Sequence, residues 1–166
     1  SRQRRLLRIH WVEMDKTLFG HQTKVSVRNY EIDWQGIVHN AIYLHYFEIG
    51  RIDYLNQIGA KVDVNAINTN AKVVLARNEL DYVTPARFGD TLNVYSRVAS
   101  IRNSSFVFEG FLERDSTKEA IAENVAVHVW LDPKSNAPTP VPDDFRKLVQ
   151  RFEGKHCQIQ WPTIIV

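Results

Sequence analysis

Apolar and polar residues alternate through Thr23–Tyr30, "TKVSVRNY", with Val25 and Val27 on one side, and this period of two predicts a half-buried strand. After Gly36 the period lengthens. Ile42, Tyr46, Ile49, Leu55 and Ile58, with Phe47 and Tyr54 beside them, predict a helix over residues 40–58 with a broad apolar surface, stopped by Gly59. Four extended segments follow, 71–83, 90–101, 105–115 and 120–132, divided by the turn-forming stretches "TPARFGD", "RNSS" and "STKE". The last pattern, 142–154, opens on Pro142 and two aspartates and carries its basic residues later, the polarity a helix dipole favours. The order is strand, long helix, four strands, short helix, with no repeat and no low-complexity linker. So apolar a helix needs cover, and an antiparallel sheet wrapped around it is the economical arrangement, an α+β fold.

The 166 residues, 44% apolar, suit one domain spanning 1–166. Lys and Arg number 21 against 19 for Asp and Glu, a balance that offers no basic face for nucleic acid. Four arginines among the first eight residues, "SRQRRLLR", mark a basic N-terminal arm, read as solvated. No apolar run reaches the roughly 18–20 residues of a membrane span and no signal-peptide core follows the arginines, so the expected compartment is the cytoplasm. Cys157 is the only cysteine, which excludes an internal disulfide, and it reads as an incidental thiol. His45 and His128 fall inside element patterns and read as structural. His10, His21 and His156 lie at the margins, and the absence of ligand spacing among the six histidines argues against a metal.

Chemistry concentrates at the hinge between the first strand and the long helix. Asp33 there either forms the turn and caps the helix, or sits beside unpartnered backbone N–H groups and acts on a substrate. Gly36 permits the sharp turn. Glu48 is a second candidate carboxylate; it stands three residues from Arg51, with which it could pair across one helical turn, and that pairing is the structural alternative. His39, beside the helix start, is a cap or a hydrogen-bonding partner for substrate or water.

The stretch "EIDWQGIVHNAIYLHYFEIGR" resembles the active-site segment of the 4-hydroxybenzoyl-CoA thioesterase-like branch of the hotdog-fold superfamily, with Asp33, Gly36, Val38, Tyr43, Glu48 and Arg51 in the family's places. The similarity continues through "NELDYVTPARFGDTLNV", "IRNSSFVFEG" and "AVHVWLDPKSNAPTPVPDDF". It marks a recognisable core over about 23–153, between the basic arm 1–20 and the tail 154–166. The similar members are the small bacterial acyl-CoA thioesterases, among them the one that accompanies the Tol–Pal envelope system. The resemblance implies a hotdog fold: a five-stranded antiparallel sheet wrapped around a long central helix, with a short C-terminal helix. It also implies homodimers joined sheet edge to sheet edge, frequent tetramers, an active site at the subunit interface, an acyl-CoA substrate and no cofactor. One departure stands out. Several relatives carry His seven residues after the Asp, where this chain has Asn40, with His39 one position earlier.

Thioester hydrolysis needs an activated water or a carboxylate nucleophile and donors for the oxyanion, while the thiolate leaves with little help. The resemblance assigns these parts to Asp33, as nucleophile or base, and to the backbone N–H of Asn40. Tyr43, Tyr46 and Phe47 then become candidates to line the acyl pocket, against the plainer reading of core aromatics. Arg102 lies where relatives place basic residues near the nucleotide phosphates. Two further readings are an acyl-carrier-protein thioesterase and a non-catalytic acyl-thioester-binding protein. A hydratase of the same fold needs a His that this chain does not convincingly supply.

Overall fold

The computed structural model describes residues 14–60 and 72–162. Its elements are β1 (His21–Ser26), α1 (Ile42–Gln57), β2 (Lys72–Tyr82), β3 (Thr91–Ile101), β4 (Ser105–Arg114), β5 (Ala120–Leu131), α2 (Asp143–Glu153) and β6 (Gln158–Ile159). The sheet runs β1-β3-β4-β5-β2, each neighbour antiparallel. The two-residue β6, which the sequence patterns do not suggest, joins β3 in parallel at Ser100 and Ile101. It takes up the edge of β3 beyond Ser96, where pairing with β1 ends.

The first strand is shorter at its end than its alternation predicts. The Val27 N–H makes a last in-register bond to the Asp90 carbonyl at 2.9 Å, and beyond it the Glu31 carboxylate takes the Arg28 N–H at 2.8 Å. With those groups taken, residues Asn29–Glu31 curl into a 3₁₀ turn rather than extending the strand.

The central helix buries an aromatic face. Tyr43, Tyr46, Phe47, Gly50, Arg51 and Tyr54 are its buried residues, at the i, i+3, i+4, i+7 spacing of a helical seam. Ile49 and Ile52 fall on the other side and are 42% and 41% exposed, so the expected placement of Ile49 on the buried surface is wrong for this chain. The helix lies directly on β3: a Cβ at Gly50 would meet Ser96 Oγ and Val94 Cγ1 at 2.6 Å. Two core clusters follow its length. One joins Tyr43, Tyr46 and Phe47 to Leu92, Val94, Leu112 and Ile121. The other joins Tyr54 and Ile58 to Val98, Phe106, Phe108, Phe145 and Cys157.

The Glu48–Arg51 ion pair does not form. Arg51 is drawn inward instead, where its Nη1 donates to Asn124 Oδ1 at 3.1 Å, and Glu48 stays exposed. Asn124 in turn donates to the Glu79 carbonyl at 2.7 Å. A hydrogen bond to a buried amide outweighs a solvent-screened pair on the helix surface.

The arginine cluster, read as solvated, lies within residues 1–13, outside the described residues; the stretch that follows, Met14 to Gly20, is bonded to the sheet, with Asp15, Lys16, Thr17 and Gly20 exposed. The Met14 N–H donates to Glu123 Oε1 at 2.7 Å and Lys16 Nζ to Glu113 Oε2 at 2.7 Å. Phe19 meets the Tyr95 ring edge-on at 6.3 Å. Burial alone would raise the Glu113 carboxyl, but hydrogen bonds from Lys16, Asn93 and Tyr95 outweigh it and hold the group below the usual carboxylate range. At the opposite end Arg146, fully buried, donates to the carbonyls of Val141, Arg102, Asn103 and Gln160. It ties α2 and the C-terminal segment to the β3–β4 hairpin. His21 is likewise no marginal residue: it opens β1, is buried, and its Nε2 lies 2.8 Å from Asp53 Oδ2 on α1.

His128 on β5 is stacked on Phe106 with ring centroids 5.2 Å apart. Burial, aided by the nearby Arg51 charge, lowers its pKa from 6.5 to about 4. Between those values the unfolded chain binds a proton that the folded chain refuses, so stability present above pH 6.5 is lost as pH falls toward 4, by on the order of 3 kcal/mol from this group. Urea denaturation of wild type and His128→Phe across that window should show a shallower acid slope in the variant.

Candidate active site

Asp33 occupies a tight turn closed at both ends by backbone hydrogen bonds. Its own N–H donates to the Ile37 carbonyl at 2.8 Å, and its carbonyl accepts the Gly36 N–H at 3.0 Å. Gly36 has φ +78°, the left-handed region that a side chain would strain. Asp33 Oδ1 accepts the Gln35 N–H at 2.7 Å, so one carboxylate oxygen forms the turn. Oδ2 has no partner among the described residues. The structural and the chemical readings of Asp33 are therefore compatible, one on each oxygen.

The loop beyond is pinned on both sides. The Val38 N–H donates to the Ala86 carbonyl and the His39 N–H to the Glu31 carbonyl, each at 2.9 Å. Isolated bridges pair Ile32 with Val38 and Ile37 with Arg87. At the start of α1, His39 C=O accepts the Ile42 N–H at 2.9 Å, the Ala41 N–H donates to His39 Nδ1 at 3.1 Å, and the Asn40 carbonyl accepts the Tyr82 hydroxyl at 2.8 Å. Of the five backbone polar groups from the His39 N–H to the Ala41 N–H, four are engaged. Among the described residues the Asn40 N–H alone is left, at the positive end of a sixteen-residue helix. The bond from Ala41 also fixes His39: Nδ1 is the acceptor, so the neutral ring carries its proton on Nε2.

A pocket of about 530 Å³ opens here, lined by Asp33, Val38, His39, Asn40, Tyr43 and Tyr82 among others. It brings together Asp33, His39, Asn40 and Tyr43 from the sequence-derived candidates, with Gly36 in the turn that shapes it. The remaining candidates lie elsewhere. Tyr46 and Phe47 are 2% and 1% exposed in the core and do not line the pocket. Glu48 is on the exposed side of α1 and outside the lining. Arg102 is exposed at the β3–β4 hairpin and is not in the lining.

Two residues that shape the site lie inside the quoted stretches but are not among the sequence-derived candidates. Glu31 is a buried carboxylate that accepts the buried Tyr46 hydroxyl at 2.7 Å besides the Arg28 N–H, and Tyr82 reaches Asn40 from the last position of β2. Their partners are 15 and 42 residues away along the chain, beyond the reach of local spacing.

Residues 27–149 match the model of the Thioesterase-like superfamily. The chain belongs to this family: it is a hotdog-fold thioesterase, a thioester hydrolase. It is 30% identical over 132 residues to the chloroplastic acyl-acyl carrier protein thioesterase ATL3 of Arabidopsis thaliana, covering 80% of this chain and 68% of that one. It is 28% identical over 141 residues to the acyl-CoA thioester hydrolase YbgC of Escherichia coli O157:H7, covering 84% and 99%. Among solved structures, a thioesterase of Thermus thermophilus complexed with coenzyme A and Zn is similar at a TM-score of 0.72 and 31% identity, covering 82% of this chain and 96% of that one.

Cys157 stands apart from this chemistry, packed in the second core cluster, where burial pushes its thiol up to about 12. Ellman's reagent at pH 8 should find no fast-reacting thiol in the folded protein and one equivalent after denaturation.

Proposed function

We propose that this chain hydrolyses acyl-CoA thioesters to the free acid and CoA in the cytoplasm, with Asp33 as the reacting carboxylate and the Asn40 N–H as oxyanion donor. The observation that carries this reading is the meeting, in one pocket, of a carboxylate with one free oxygen and a helix-start N–H with no partner among the described residues. The substrate carbonyl oxygen takes the Asn40 N–H, and negative charge developing there is favoured by the helix dipole. Asp33 Oδ2 then follows one of two courses. It attacks the carbonyl carbon and expels the thiolate, leaving a mixed anhydride that water opens, or it takes a proton from a water whose oxygen attacks instead. The thiolate leaves as a weak base on either course, so no further acid is required. His39, whose Nε2–H has no partner among the described residues, is a hydrogen-bond donor beside the same carbonyl.

Acyl-carrier-protein thioesters are the second reading, favoured by the likeness to the Arabidopsis enzyme whose name carries that substrate. The chemistry at Asp33 is the same for both carriers.

The assembly we infer is a homodimer joined through β2, with tetramers built from such dimers. β2 pairs with β5 on one side and with nothing among the described residues on the other, and Val73, Leu75 and Tyr82 along it are exposed, as are Ile49 and Ile52 of α1. Light scattering should return the mass of two or four chains; a monomer at micromolar concentration refutes this assembly.

The direct test of activity is free-thiol release from short, long and aromatic acyl-CoA substrates and from acyl carrier protein thioesters. Wild type should turn over members of this panel, and Asp33→Asn, which keeps the acceptor for the Gln35 N–H, should fall by at least about a hundredfold while remaining folded. Equal rates in the two proteins contradict the assignment.

A further inference from the structure

Tyr82 is the last residue of β2, the strand whose other edge is open among the described residues, and no sequence motif singles it out. Its ring lies edge-on to Tyr43, with centroids 5.2 Å apart and planes at 86°. Its hydroxyl donates to the Asn40 carbonyl at 2.8 Å. Tyr43 is itself held, its hydroxyl accepting the Ala86 N–H at 3.0 Å, and Ala86 returns a carbonyl to the Val38 N–H at 2.9 Å. The two tyrosines thus reach the 38–40 segment from the strand side, while Glu31 holds it from the loop side through the His39 N–H.

We infer that Tyr82 is a positioning residue for the hydrolytic reaction: its hydroxyl fixes the Asn40 carbonyl and so steadies the Cα from which the Asn40 N–H is directed at the thioester oxygen. This rests on the reading of Asn40 as oxyanion donor given above. The physical reason is the looseness of a helix start. Asn40 and Ala41 precede the first helical residue, Ile42, and form a turn, where backbone torsions are less constrained than within the hydrogen-bonded helix. Without the hydroxyl, the 40–41 peptide is freed to rotate toward water and the Asn40 Cα loses that anchor, so the preceding peptide, which carries the Asn40 N–H, is held only by the bond from the Ile42 N–H to the His39 carbonyl. Donors contribute to transition-state stabilisation only when preorganised at the oxyanion position, so the loss falls on the chemical step and not on substrate binding.

Tyr82→Phe keeps the ring and its contact with Tyr43 and removes only the hydroxyl. The expected result is a kcat lower by about tenfold, a KM for acyl-CoA within about twofold of wild type, and an unchanged melting temperature. The Ala41 amide ¹⁵N resonance, on the peptide whose carbonyl Tyr82 binds, should shift in the same variant. A kcat equal to wild type, or a KM and melting temperature that change together with it, overturns the inference, as does an unshifted Ala41 resonance. Failure of the hydrolase reading looks different: wild type itself turns over nothing on the substrate panel, and the catalytic role of Tyr82 falls with it even where the Ala41 resonance moves.

Discussion

The Glu31 carboxylate, nearly buried between the first strand and the central helix, is the interaction on which the site depends. It accepts the Tyr46 hydroxyl and the Arg28 N–H, and the carbonyl of the same residue receives the His39 N–H. One residue therefore curls the chain out of β1, anchors the curl to α1, and takes hold of the segment that returns past Asp33. A buried carboxylate is costly unless its lone pairs are filled; here two are, and the filling groups come from both structures that must be held in register. Tyr46 is itself in the core beside Phe47 and Val94, so the packing of α1 against β3 and the placement of the Asp33 turn are parts of one arrangement.

From that anchor the division of labour in the pocket follows. Asp33 spends one oxygen on its turn, and the other has no partner among the described residues. The backbone from His39 to Ala41 spends four polar groups on internal bonds and keeps one. A thioester asks little more of a protein, because its leaving group is good and the difficult charge is the oxyanion. The loop's backbone is held by Glu31, Tyr82 and Ala86, and among the described residues Asp33 Oδ2 and the Asn40 N–H are left without partners.

Much of the fold was legible in the chain. The four later strands, expected at 71–83, 90–101, 105–115 and 120–132, are found within a residue or so of those limits, because alternation and turn residues are local signals. The resemblance at "EIDWQGIVHN" likewise located the turn that the pocket surrounds. The misses share a physical cause, competition from partners distant in sequence. Arg51 leaves Glu48 for Asn124, 73 residues on, and β1 gives way to a 3₁₀ turn where Glu31, bonded to Tyr46 of α1, takes the Arg28 N–H. Ile49 misleads differently. It is apolar yet turned away from the sheet, so its pattern reads as core when the aromatic seam has already filled it. Tyr46 and Phe47 carry the opposite lesson, since aromatics next to a site in sequence pack beneath it and not into it.

The claim that one carbonyl meets both free groups is tested most directly by a crystal structure with an acyl-CoA analogue in which a methylene replaces the thioester sulfur. The ketone oxygen should lie within hydrogen-bonding distance of the Asn40 nitrogen, about 3 Å, with Asp33 Oδ2, or a water bound to it, facing the carbonyl carbon. A ketone seated away from Asn40, or a pocket in which Asp33 Oδ2 is turned from the carbonyl and bonded to protein, would contradict the account.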